Sequence, residues 1–129
     1  MPLIRIDAVA GRTPEQVKAL LDAAHRAMLT AFKVPERDRY QVYTEHEPSH
    51  FIVEDTGLGI PRTKNVIVVT VISRPRTDEM KKTFYAELCR ELKASCDIEP
   101  SDVMISIVSN TDADWSFGNG RAQFLTGEM

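Results

Sequence analysis

Pro2 stands directly behind the initiator methionine and opens the apolar run Pro2-Leu3-Ile4-Arg5-Ile6. Methionine is normally trimmed when a small residue or proline follows, so the mature chain is expected to begin with a secondary amine outside any peptide bond. Such an amine works as a base, an ammonium acid or an imine-forming nucleophile, depending on its pKa. The ordinary α-amino pKa of about 7.7–8.0 lets neighbouring charges choose among these roles. A retained Met1 would cap the nitrogen and remove the chemistry. Arg74 and Arg76 flank Pro75. In an extended segment residues i and i+2 point to one side, and proline keeps the preceding residue extended. Two converging guanidiniums suit one carboxylate or phosphate through charge-assisted bonds, although an Arg-Pro-Arg step also describes two solvated arginines at a strand–helix junction. Asp38, in the polar turn Pro35-Glu36-Arg37-Asp38-Arg39, can orient a water, hold a proton on the Pro2 amine or simply cap the turn. Trp115, Phe117 and Phe124 form a late aromatic group that can wall a small, water-poor pocket or fill a core.

Other residues of reactive type are read as structural. His25 falls among alanines on a helical pattern and is expected to be packed or half-exposed there. His46 and His50 are expected around a hairpin turn, without the ligand spacing of a metal site. Gly57-Leu58-Gly59 and Gly118-Asn119-Gly120 are too short for nucleotide loops and fit turns that need positive φ.

Composition narrows the function classes. With 129 residues, 43% hydrophobic and 27% charged, the chain fits one soluble domain, 1–129. Its 16 basic and 19 acidic residues leave a net charge of −3 and no basic stripe, which argues against nucleic acid as a partner. No apolar run approaches the roughly 20 residues of a membrane span, and the first residues lack a signal-peptide pattern. Cys89 and Cys96 lie on one predicted helix, about 10 Å apart along its axis, too far for a disulfide. A cytoplasmic protein is the expectation.

The elements that must position these side chains appear twice. Gly11-Arg12-Thr13-Pro14-Glu15 and Pro75-Arg76-Thr77-Asp78-Glu79 each open a long helical pattern with threonine as N-cap. The two threonines are 64 residues apart, and the same offset pairs Pro2 with Val66, Leu20 with Phe84, Ala24 with Leu88, Met28 with Leu92, Val34 with Ile98 and Asp38 with Asp102. Each copy of the pseudo-repeat (2–64 and 66–129) reads as strand, helix, strand: 3–9, 14–33 and 40–45, then 66–73, 78–95 and 103–109. A helical crossover implies parallel pairing within each copy. The fold class expected is α+β: two βαβ units forming a four-stranded mixed sheet with both helices on one face. The other face, apolar and bare, calls for burial by oligomerisation. Segments 48–60 and 112–127 are rich in turn residues and are expected to form small hairpins or subunit-bridging segments. Whether Pro2 meets the arginines depends on strand direction, which the sequence leaves open.

Pro2, the doubled βαβ plan, Asp38 within residues 35–40, Arg74-Pro75-Arg76-Thr77 and Asp114-Trp115-Ser116-Phe117-Gly118 together resemble the tautomerase superfamily, and within it the malonate semialdehyde decarboxylases. The resemblance runs from Pro2 to the C-terminus with no substitution at these positions. It implies a homotrimer that needs no cofactor, with Pro2 as the catalytic group, Asp38 as its partner, Arg74 and Arg76 as carboxylate binders, and Trp115, Phe117 and Phe124 as pocket wall. The implied activity is decarboxylation of malonate semialdehyde, a small 3-oxo acid, to acetaldehyde and CO2, with a promiscuous hydratase activity on an acetylenic 2-oxo acid. A tautomerase of 2-keto/enol acids, a 3-haloacrylate dehalogenase of the same superfamily and a non-catalytic trimeric binding protein are the alternatives. The arginines push the amine towards neutrality and Asp38 favours the ammonium; a protonated Pro2 at neutral pH is expected.

Overall fold

Four strands of seven residues set the sheet, three of them rich in β-branched and aliphatic residues. β1 (Leu3–Val9), β2 (Tyr40–His46), β3 (Ile67–Ser73) and β4 (Val103–Ser109) lie in the order β2-β1-β3-β4. The computed structural model describes residues 2–129, and the expected removal of Met1 falls outside the described residues. β1 runs parallel to β2, with Leu3 beside Tyr40, and β3 runs parallel to β4, with Ile67 beside Val103. The two central strands are antiparallel, Leu3 lying beside Ile72. The sheet is therefore mixed, as expected of two βαβ units placed side by side.

Both helices cover one face. α1 (Pro14–Phe32) begins at Thr13, whose hydroxyl accepts from the Gln16 amide while the Gln16 side chain accepts from the Thr13 amide, a reciprocal cap. α2 (Asp78–Cys96) begins at Thr77, whose hydroxyl accepts from the Met80 amide; Met80 has no side-chain oxygen to return the bond. Lys33 and Asp97 end the two helices in the left-handed conformation, again 64 residues apart. The core lies between helices and sheet. Ile4, Ile6 and Ala8 of β1 and Ile67, Val69 and Val71 of β3 meet Leu20, Ala24 and Met28 of α1 and Phe84, Leu88 and Leu92 of α2. The helix residues paired by the 64-residue offset thus occupy equivalent core positions, whereas the inward rows of β1 and β3 do not follow that offset. The offset falls to 63 between β2 and β4, because the connection after α1 is one residue longer.

Three expectations need correction. Residues 48–60 and 112–127 contain no strand: Pro48–His50 and Asp112–Asp114 are single 3-10 turns, and α3 (Gln123–Thr126) is one helical turn. Side chains take the bonds a hairpin ladder would have used. Asp55 accepts from the amides of Gly57 (3.1 Å) and Gly59 (2.8 Å), and Asp114 accepts from both the amide and the hydroxyl of Thr111. His46 and His50 accordingly do not flank a hairpin turn. β2 continues to His46, whose Nε2 lies 2.7 Å from Asp7 Oδ1 on β1 and whose ring stacks on Phe51. Finally, α2 extends to Cys96 and β3 starts at Ile67. Cys89 and Cys96 are free, and burial raises both thiol pKas. Among the described residues no helix is long and apolar enough to cross a membrane.

Candidate active site

Antiparallel pairing of β1 with β3 decides which groups meet. Leu3 lies beside Ile72, so one further step along the register sets Pro2 beside Ser73, next to Arg74-Pro75-Arg76. Parallel pairing with β2 brings the turn carrying Asp38 to the same end, since Tyr40 lies beside Leu3. Pro2 is fully buried there and Asp38 is 8% exposed. The strand direction left open by the sequence is the one that gathers Pro2, Asp38 and both arginines at one end of the sheet.

The two guanidiniums are held differently. Arg76 Nε donates to Ser73 Oγ at 3.2 Å, Nη1 reaches the Phe32 carbonyl at 3.5 Å, and the group lies 4.9 Å from the Phe32 ring centroid. Burial lowers the Arg76 pKa most, the nearby Arg74 charge lowers it further, and the Asp38 carboxylate pulls it back up. Asp38 is thus electrostatically close to Arg76. The guanidinium carbon of Arg74 sits over the Phe124 ring, 3.9 Å from its centroid, and Nη1 donates to Asp112 Oδ1 at 3.0 Å. Its Nε is buried with no hydrogen-bond partner among the described residues, leaving a donor for which a ligand oxygen would be a suitable acceptor.

The aromatic group joins the same cluster. Phe117 is central: Trp115 stacks on it at 5.5 Å, Phe124 meets it edge-on at 5.4 Å and Tyr40 stacks on it at 5.9 Å. Trp115 Nε1 donates to Asn110 Oδ1, and the Asn110 amide donates to the Ser73 carbonyl, linking the wall to the strand that carries the arginines. Gln123 accepts from the Phe117 amide and donates to the Gly118 carbonyl, both at 3.0 Å.

Several contributors escaped sequence reasoning. Tyr40 had a readable signal, an aromatic at the strand start two residues past Asp38. Ser73 had another: it is a hydroxyl where the inward positions of β3 are otherwise Ile67, Val69 and Val71. His25, buried in α1, also holds the turn before β2, because its Nε2 donates to the Glu36 carbonyl at 2.9 Å. Asp112 carried no local signal. Asp102, the repeat partner of Asp38, accepts from the Thr63 amide and hydroxyl at 2.7 and 2.5 Å. It pins a loop, a structural use of the same repeat position. Two grooves of about 600 and 470 Å³ lie elsewhere, one along α1 between Arg12 and Arg39, the other beside Asn65 and Cys96. Neither includes Pro2, Arg74 or Arg76.

A family profile described as tautomerase enzyme matches residues 38–118, and a second profile of the same description matches residues 2–60. The chain belongs to the tautomerase family. Among curated tautomerase relatives, the probable tautomerase YrdN of Bacillus subtilis (strain 168) is 50% identical over the whole of both chains, and the probable tautomerase YusQ of the same strain is 33% identical over 97% of this chain and 99% of its own. The crystal structure of a malonate semialdehyde decarboxylase, described for its decarboxylase and hydratase activities, superposes with a TM-score of 0.96 at 53% identity, covering 98% of both chains. That of FG41 malonate semialdehyde decarboxylase gives 0.93 at 43% identity, covering 98% of this chain and 97% of its own.

Proposed function

We propose that this tautomerase-family protein is a cofactor-independent carboxy-lyase that converts malonate semialdehyde to acetaldehyde and CO2. The observation that carries the reading is the convergence of a buried Pro2 with Arg74, Arg76 and Asp38 at one end of the sheet. The likeness to two malonate semialdehyde decarboxylases supports it. Arg74 and Arg76 bind the substrate carboxylate, the buried Nε of Arg74 being one donor available for it. The bond between that carboxylate and C2 breaks, CO2 leaves, and the electron pair delocalises onto the C3 carbonyl. Cationic Pro2 stabilises it either by hydrogen-bonding the oxygen of the enolate or by carrying the carbon skeleton as an iminium that becomes an enamine. Both routes set positive charge where negative charge develops. Protonation at C2 and, on the second route, hydrolysis of the iminium release acetaldehyde. Trp115, Phe117 and Phe124 wall the pocket and exclude water. Addition of water to an acetylenic 2-oxo acid, the hydratase activity, uses the same ammonium acid. The protein works as a homotrimer, a reading supported by the exposed apolar side chains Val42, Met104 and Val108 on the open sheet face and by fused 4-OT structures of the same fold that are described as trimers.

A second reading, tautomerisation of a 2-keto/enol acid, draws on the relatives named as probable tautomerases. It needs a neutral Pro2 acting as base, so the protonation state of Pro2 separates the two.

The test is acetaldehyde production from malonate semialdehyde, coupled to alcohol dehydrogenase and NADH, on protein whose intact mass shows Met1 removed. Turnover that falls by at least about a hundredfold in Pro2→Ala and in Arg76→Ala is the expected result, in the range of losing an acid–base group or a preorganised charge. Absence of turnover in the processed wild type overturns the decarboxylase reading.

A further inference from the structure

We infer that Ser73 is a positioning residue that fixes the guanidinium of Arg76 for carboxylate binding. The inference rests on the carboxylate-binding role proposed for Arg76. Ser73 ends β3, is 0% exposed and points towards the helices, in a row whose other members are Ile67, Val69 and Val71. A buried hydroxyl in an apolar row is costly unless its hydrogen bonds are made. Here both are made, and both go to the Arg-Pro-Arg step: Ser73 Oγ donates to the Arg74 carbonyl at 2.8 Å and accepts from Arg76 Nε at 3.2 Å.

The bond selects which edge of Arg76 meets a ligand. Nε has a single hydrogen, and Ser73 occupies it. Side-on recognition through Nε and Nη2 is therefore closed for Arg76, and its terminal Nη groups are the ones to face the carboxylate. Arg74 is complementary: Nη1 is engaged by Asp112, while its buried Nε has no partner among the described residues. The two arginines thus offer different edges to one carboxylate, and Ser73 sets that division. It also holds the Arg74 carbonyl, so that the backbone turn between the arginines and the Arg76 side chain are fixed by one hydroxyl.

The experiment reads Arg76 directly and does not depend on turnover. In wild-type protein the Nε–Hε resonance of Arg76, identified by its loss in Arg76→Lys, is expected to be protected from solvent exchange. Ser73→Ala is expected to remove that protection and to weaken binding of malonate, a non-reacting carboxylate probe, by about tenfold, the scale of one hydrogen bond to a charged group. In the Arg76→Lys background, which has no guanidinium Nε, adding Ser73→Ala should change malonate binding less than about twofold. An unprotected Arg76 Nε–Hε in the wild type, a protection unaltered by Ser73→Ala, or an equal loss of malonate binding in both backgrounds overturns the inference. If the wild type fails to turn over malonate semialdehyde while this cycle behaves as expected, the proposed reaction fails and the role of Ser73 stands.

Discussion

Arg76 responds to burial, to the like charge of Arg74 and to the opposite charge of Asp38, and in the proposed mechanism the same charges bear on the amine that Pro2 carries once Met1 is removed. Of the three charged side chains only Asp38 favours an ammonium at Pro2. Asp38→Asn keeps the shape of the side chain and removes that charge, leaving the positive charges of the two arginines unopposed by it. The Pro2 pKa should then fall, because an opposite charge that favours the ammonium is gone. An ammonium acid is active below its pKa and is lost as pH rises through it. The alkaline limb of the rate profile for malonate semialdehyde should therefore move to lower pH in Asp38→Asn, and the nitrogen titration of Pro2, followed by NMR, should move with it. A profile and titration that stay in place would remove Asp38 from this role. Asp102 shows how little the residue type alone decides: the same carboxylate at the equivalent repeat position is spent on Thr63.

The secondary structure was legible to within a few residues because capping and apolar runs are local signals: Thr13 and Thr77 mark helix starts, and β1 and β4 have the bounds expected from the sequence. The antiparallel contact of β1 with β3 was not legible. It is a pairing between residues far apart in sequence, and the site depends on it. The supposed hairpins failed for the opposite reason, since Asp55 and Asp114 satisfy the backbone locally and no ladder is needed. Pro2, Asp38, the two arginines and the aromatic group could be named from sequence. Ser73, Tyr40 and Asp112 could not be assigned a part until it was known which strand ends coincide. The connection that carries Asp38 is fastened to α1 by Asp22, which accepts from Arg39 and from Lys18, both at 2.7 Å. These bonds lower the Asp22 pKa from 3.8 to about 2, the Lys18 bond most. A depressed carboxylate contributes stability above its unfolded pKa of 3.8 and loses it as pH falls through about 2. Asp22→Asn should therefore destabilise the protein at pH 7 by up to about 1 kcal/mol, because the pair is partly exposed and screened by solvent. The difference in thermal midpoint between the two proteins should shrink on acidification from pH 4 to pH 2. A difference that persists at pH 2 would mean that packing, not charge, was lost.

At the scale of the whole molecule, α1 and α2 shield one face of the sheet and leave the other open. Alternation sends Val42 of β2 and Met104 and Val108 of β4 to that open face, where they are 40%, 44% and 51% exposed. Leu3, Val68 and Ile72 lie on the same side between them. Beyond the sheet, Ile52 and Leu58 project from the loop after β2 and are exposed as well. Each apolar side chain moved from water into a contact contributes about 1.5–3 kcal/mol when fully buried, so a face of this extent favours association over solvation. Assembly of three copies through the open faces would cover it, and would let a neighbour add wall to the Pro2 end, which neither groove on the single chain includes. A carboxylate inserted into such a contact has no partner, and its desolvation opposes association. Joint substitution of Met104→Asp and Val108→Asp should therefore yield monomers by sedimentation velocity, with the far-ultraviolet circular dichroism of the wild type, since neither side chain belongs to the buried core between sheet and helices. Turnover of malonate semialdehyde should fall with the loss of the trimer if neighbours complete the pocket. A variant that still sediments as a trimer would show that the open face is not the contact, and monomers with undiminished turnover would show that each chain holds a complete site.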